Sequence, residues 1–134
     1  MQNVFSVDGR YFDVFIPEQG IKRSFSVADS DKAGRVLTGR MMRDIIGTFY
    51  NYTIELNTNK LNKQEYDELY EILSAPEDYH KIKVPYAQSF IEFDAYVTGG
   101  EDVVDIINKD GIKWSGLSIN FIAMEPLRTP GGAV

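Results

Sequence analysis

Residues 44–58, DIIGTFYNYTIELNT, alternate between apolar and polar side chains along most of their length. Ile46, Tyr50, Tyr52, Ile54 and Leu56 fall on one side, and Asn51, Thr53, Glu55 and Asn57 on the other. A period of two belongs to an extended strand. One dry face and one wet face belong to an antiparallel sheet covered on a single side. The stretch therefore predicts a long strand with its Tyr and Ile side turned to a core. Phe49 breaks the alternation on the wet side, which marks it as a candidate interface residue.

Immediately upstream, residues 22–43 read KRSFSVADSDKAGRVLTGRMMR. Six basic residues (Lys22, Arg23, Lys32, Arg35, Arg40, Arg43) stand against Asp29 and Asp31, a local +4. The whole chain is −6, so the rest carries −10. Residues 21–27 alternate and predict a strand with Ile21, Arg23, Phe25 and Val27 on one face, whereas 28–39 lack periodicity and predict a loop. A cationic arm on an acidic body points to an acidic partner surface, and a second copy of the chain supplies one. Residues 44–105 hold 13 acids against four lysines. Arg35, Arg40 and Arg43 are interleaved with Val36, Leu37, Met41 and Met42, the mixture of Arg and apolar side chains that interfaces favour.

The remaining elements are read from local signals. VFSV–DGR–YFDVFI at the N-terminus predicts a hairpin turning at 8–10, closed by Pro17 and Gly20. Residues 62–74 predict the one helix. Asn62 is a natural N-cap with Glu65 three residues on, and Tyr66, Leu69, Tyr70 and Leu73 form a single stripe. Residues 81–86, 90–98 and 113–124 predict three further strands. Gly99 and Gly100 are read as the end of the second, and Pro85 as confining the first to an edge or a bend. In the last strand Leu117, Ile119 and Phe121 share one face, and Trp114, Asn120, Ile122 and Met124 the other. Residues 99–111 then form a long hairpin loop carrying Val103, Val104, Ile106 and Ile107, which a lone subunit has no reason to expose. Residues 127–134 read as a flexible tail. The sum is α+β: an antiparallel β-sandwich with one flanking helix, a single domain over 1–126.

Composition narrows the function. The chain has no Cys, which removes disulfides and thiol chemistry. The first residues lack the apolar core of a secretory signal, and no apolar run approaches the roughly 20 residues needed to cross a bilayer. The acidic balance disfavours general nucleic-acid binding.

Chemistry-bearing clusters are sparse. Asp29-x-Asp31 before Gly34 suggests a calcium loop, but Ala33 and Arg40 occupy positions that require oxygen ligands. His80 with Glu77 and Asp78 is a poor zinc set and reads as a surface histidine. Glu92 and Asp94 project from one strand face about 7 Å apart by strand rise, within reach of a glycosidase pair, yet alternate acids commonly line wet sheet faces. Neither a triad signature nor a phosphate-binding glycine motif is present. The reading is of a non-enzyme with no cofactor, metal or catalytic residue. Its sites are subunit contacts: Arg35, Val36, Leu37, Arg40, Met41, Met42 and Arg43 from the arm, and Val103, Val104, Ile106 and Ile107 from the hairpin loop. Arm-to-body contacts are heterologous and close into a ring or grow as a helix. A binding module, with Tyr50, Tyr52, Tyr96 or Trp114 forming a carbohydrate platform, is the second reading.

The phrases RVLTGRMMRDIIGTFYNYTIEL, LNKQEYDELYEILSAPEDYHKIKVPY and WSGLSINFIAMEP, with their layout over residues 21–126, resemble small tail or baseplate proteins of tailed bacteriophages and prophages of Gram-positive bacteria. The layout is also similar to the tail-tube fold. That resemblance implies a virion protein made in the bacterial cytoplasm, forming rings that are often hexameric, contacting other tail proteins, with no membrane insertion and with DNA only as channel cargo. It implies that 22–43 embraces a neighbour and that 99–111 touches the next ring. The acidic faces of Glu55, Glu92 and Asp94 would then suit a channel wall that does not trap phosphate.

Overall fold

Two long β-hairpins form the frame of the molecule. The computed structural model describes residues 5–130 except 13, 15, 18 and 59. The strands are β1 (Ser6–Val7), β2 (Arg10–Tyr11), β3 (Ile21–Asp29), β4 (Gly34–Arg35), β5 (Met41–Met42), β6 (Ile45–Leu56), β7 (His80–Tyr86), β8 (Ser89–Asn108) and β9 (Gly111–Ala123). The helix α1 (Lys63–Ser74) lies between β6 and β7. Seven strands form one antiparallel sheet in the order β2-β1-β7-β8-β9-β6-β3, and β4 and β5 form a separate two-stranded ribbon. The architecture is a mostly antiparallel sheet with one helix.

The strand over 44–58 is β6, and its alternation is realised where the sheet covers it. Tyr52, Ile54 and Leu56 are buried. Opposite them on β9 stand Phe121, Ile119 and Leu117, also buried. Phe93 and Ala95 of β8, Ile82 and Val84 of β7, Phe5, Val7, Phe12 and Val14 belong to the same core, as do Ala123 of β9 and the helix residues Tyr66, Leu69 and Leu73. The sheet curls onto itself: Tyr52 Oη of β6 donates to the Pro85 carbonyl at the end of β7 (2.9 Å), and the Tyr50 and Tyr86 hydroxyls are 3.1 Å apart. Pro85 lies beyond the two β7 residues that pair with β1, so its missing N–H removes no bond on that side. Ile46, expected inside, is exposed because β9 ends at Ala123 and leaves the first half of β6 without that neighbour. Phe49, expected on the wet side, packs partly against the core.

Local sequence accounts for the turns and the helix. Asp8 (φ 53°) and Gly9 (φ 81°) are the two central residues between β1 and β2, the paired positive-φ turn whose twist matches a tight hairpin. The Asn62 side chain accepts from Glu65 N (2.7 Å) and Glu65 Oε1 accepts from Asn62 N (3.2 Å), the reciprocal box expected at 62–65. Tyr66, Leu69 and Leu73 are buried, whereas Tyr70, predicted on the same stripe, is exposed. Among the described residues no helix is long and apolar enough to cross a membrane.

Three expectations are corrected. Residues 28–39 are not a plain loop: β3 continues to Asp29, and β4 follows. Residues 99–111 are not a loop either: β8 runs through Gly99 and Gly100 to Asn108, and only 109–110 separate it from β9. Bulges between Val97 and Gly99, between Glu101 and Val103, and between Val104 and Ile106 let one strand continue where the glycines read as a break. Finally, the tail predicted from 127 is tied down at its start. Thr48 N donates to Arg128 O and Leu127 N to Thr48 O, both at 2.8 Å, so 127–128 take up pairing with β6 where β9 has ended. Residues 131–134 lie outside the described residues.

Gly47 makes that closure possible. A Cβ there would stand 2.5 Å from both Arg128 O and Pro126 Cβ, at a φ of 158°. Gly47→Ala is expected to displace 126–128 and to lower stability by about 1–3 kcal/mol, the usual cost of overpacking. A lower thermal midpoint together with faster tryptic cleavage after Arg128 is the expected readout.

Candidate functional site

The basic arm is the distal part of the β3–β6 hairpin. Ile21 through Asp29 pair with Ile54 back to Ile45, with an irregularity between Ala28 and Asp29. Beyond the last pair, Ser30 N donates to Asp44 O (2.8 Å) and the Ser30 hydroxyl bonds the Asp44 carboxylate. Arg43 Nε donates to both carboxylate oxygens of Asp29 (3.0 and 2.9 Å), a contact that holds the guanidinium above its usual pKa range. It also occupies the carboxylate that the calcium reading required. The ribbon then pairs Gly34 with Met42 and Arg35 with Met41. The tip closes through Val36 N to Arg40 O (3.0 Å) and Gly39 N to Val36 O (2.8 Å), with Gly39 at φ 87°. Arg35 Nη1 donates to Gly39 O (3.0 Å). The arm is thus a hydrogen-bonded finger.

All seven predicted arm residues (Arg35, Val36, Leu37, Arg40, Met41, Met42 and Arg43) are exposed on this finger, and Leu37 at its tip is fully accessible, at 107%. Alternation failed there because neither face of a two-stranded ribbon is covered. The sequence reading missed Phe25 (70% exposed), Val27 and Ile45, which extend the exposed apolar surface down the finger. Their isolation from any covering segment is a tertiary fact.

The second predicted cluster lies at the other end of the sheet. β6 pairs with β9 only from Asn51–Ile122 to Leu56–Leu117, so the finger projects past the end of β9 and the β8–β9 hairpin projects past the end of β6. Val103, Val104, Ile106 and Ile107 are exposed, and Ile107 pairs with exposed Ile112 next to the turn. The structure therefore gathers the interface candidates into two groups and sets the groups at opposite ends.

Between the β8–β9 hairpin and α1 lies a cavity of about 340 Å³ lined by Tyr66, Asp67, Tyr70, Glu71, Asp102 and Trp114. Lys63 Nζ at the start of α1 donates to Asp110 O in the hairpin turn (3.1 Å). Tyr66 Oη donates to Asp102 Oδ2 (2.7 Å). Trp114 was expected on the face of Asn120 and Ile122. The bulge opposite Gly116 (φ 69°) steps the alternation, so Trp114 lines the helix-side cavity while Asn120 accepts from Thr53 Oγ1 (2.9 Å).

Burial, then the bond to Asp102, push the Tyr66 hydroxyl well above its ordinary pKa, and burial raises Tyr52 as well. In the unfolded chain these hydroxyls ionise near pH 10, so the folded state keeps protons that the unfolded state releases. Their contribution is whole below about pH 10 and is lost as pH rises above it. The unfolding free energy of the native chain is expected to fall between about pH 9.5 and 11, and that of Tyr66→Phe to fall less steeply in urea titrations.

Other candidates resolve differently. His80, expected at the surface, is 3% exposed, and its Nδ1 is 2.7 Å from Asp8 Oδ2. Its partner sits in the N-terminal turn, far away in sequence. Glu92 stands opposite Lys83, and Asp94 opposite Lys81 with an ion pair of 3.1 Å, a charged ladder on a wet face. The proposed aromatic platform is dispersed. Tyr52 is in the core and Tyr50 is engaged with Tyr86. Tyr96 pairs with Ile122, eight residues and roughly 27 Å along the strand from Trp114. No protein-family model matches the chain, and no curated protein matches it in sequence.

Proposed function

We propose that the chain is a non-enzymatic structural component of a bacteriophage tail, assembling into a ring of the tail tube, the distal tail or the baseplate. The observation that carries this reading is the pair of apolar projections at opposite ends of one sheet, differing in charge. Residues 22–43 carry six basic residues against two acids, whereas 99–111 carry four acids against one lysine. Opposite ends that attract one another favour head-to-tail contact between copies over face-to-face pairing, and such contact closes into a ring or continues as a helix. The curl of the sheet suits a two-layered, tail-tube-like sandwich. On its wet face Glu55 and Glu101 both stand opposite Ser118, a local acidic patch that suits the wall of a channel through which DNA passes as cargo, whereas Glu92 and Asp94 are offset by Lys83 and Lys81. Other tail proteins would be the remaining partners, and the virion the final location.

Native mass spectrometry and sedimentation of the full chain test this. Assembly to a closed ring at low salt, weakened about tenfold or more by several hundred millimolar salt, is the expected result, since contacts between exposed charges are screened over about 8–10 Å at physiological ionic strength. A monomer at every concentration and salt level would count against it.

A further inference from the structure

We infer that the cavity between α1 and the β8–β9 hairpin is the receptor for Arg40 of a neighbouring copy's finger. The inference rests on the assembly reading above and names the contact through which assembly would occur. Three aromatic rings, Tyr66, Tyr70 and Trp114, line a space of about 340 Å³, within the size range of built ligand pockets. Asp67, Glu71 and Asp102 line the same space. Aromatic faces combined with carboxylates fit a guanidinium, which stacks on rings and donates to oxygens at once. Tyr66 fixes the orientation of Asp102 by its 2.7 Å bond and leaves the second carboxylate oxygen available.

The occupant is argued from charge and position. The finger is the cationic element of this chain, and its tip stands at the opposite end of the sheet from the cavity, so one copy's tip meets the next copy's cavity without any copy closing on itself. Of the arginines near the tip, Arg43 is engaged by Asp29 and Arg35 by Gly39. Among the described residues the Arg40 side chain has no ion pair or hydrogen bond. Leu37, fully exposed at the same tip, would lie against Val104 and Ile107, which the register places on the Trp114 face of the hairpin.

Trp114 is the chain's single tryptophan, so its emission reports occupancy of the cavity directly. Titrating the full chain with a synthetic peptide of residues 30–44 is expected to change Trp114 emission saturably. The peptide carrying Arg40→Glu is expected to bind at least tenfold more weakly, and the chain carrying Glu71→Lys is expected to lose affinity for the native peptide and regain it for the Arg40→Glu peptide. A chain that assembles while neither peptide alters Trp114, or while both bind equally, overturns the cavity assignment and spares the assembly. A chain that stays monomeric overturns the assembly reading and this inference with it.

Discussion

Phe121→Ala is expected to remove about 3–5 kcal/mol of folding stability, the usual cost of truncating a buried Phe. The ring is fully buried, lies 5.9 Å from that of Phe5, and stands in register between Tyr52 of β6 and Val97 of β8. It therefore joins the N-terminal segment, the centre of the sheet and the start of the hairpin extension. The hole left behind cannot collapse easily, because strands on both sides are fixed by their ladders. A domain of this size has roughly 5–15 kcal/mol in total, so the variant should lie near the edge of stability at 37 °C. Urea unfolding with an unchanged slope and a midpoint shifted to much lower denaturant is the outcome to look for. A loss below about 1 kcal/mol would mean that the sheet does not close around this ring.

Leu37→Asp should do the reverse, leaving the fold intact and breaking the proposed association. Leu37 touches solvent on all sides at the finger tip and contributes nothing to the core. Its thermal midpoint should stay within about a degree or two of the parent, as for most surface substitutions. If the tip is an anchor in the subunit contact, burying an Asp there should weaken assembly by about thirtyfold or more, the range of an interface hot spot. Sedimentation at matched concentration separates the two effects. Undiminished assembly would remove the tip from the interface.

The fold was legible where its signals are local. The box at Asn62 and Glu65 and the spacing of Tyr66, Leu69 and Leu73 placed α1 to within a residue. The alternation from Tyr52 to Leu56 placed β6. The extent of the hairpins was not legible, because the decisive contacts are distant. Gly100 reads as a breaker, yet in the folded sheet it is needed for close packing: a Cβ there would stand 2.9 Å from Ser118 O. His80 was misplaced because the carboxylate that accommodates it lies in the turn at Asp8. The interface candidates were legible as side chains that no element could cover. Their division between two ends depends on the stagger of β6 against β9, which no window of sequence contains. The cavity was missed for a similar reason, since the bulge at Gly116 reverses the face of Trp114.

The outer strand β3 has a further consequence. Its nine residues leave one row of N–H and C=O groups without a neighbouring strand, a template on which another chain can polymerise into non-native aggregates. Lys22 and Arg23 sit on that border and act as gatekeepers: a parallel, in-register stack of copies would bring like charges together, and any pairing along this edge must accommodate two cations. Their protection is electrostatic and fades in concentrated salt, where screening acts over about 3 Å. Ionic strength would therefore pull this protein in two directions if the proposed finger contacts form: brine that loosens them also disarms the guard against disorderly stacking, and moderate salt is where purified material should keep best.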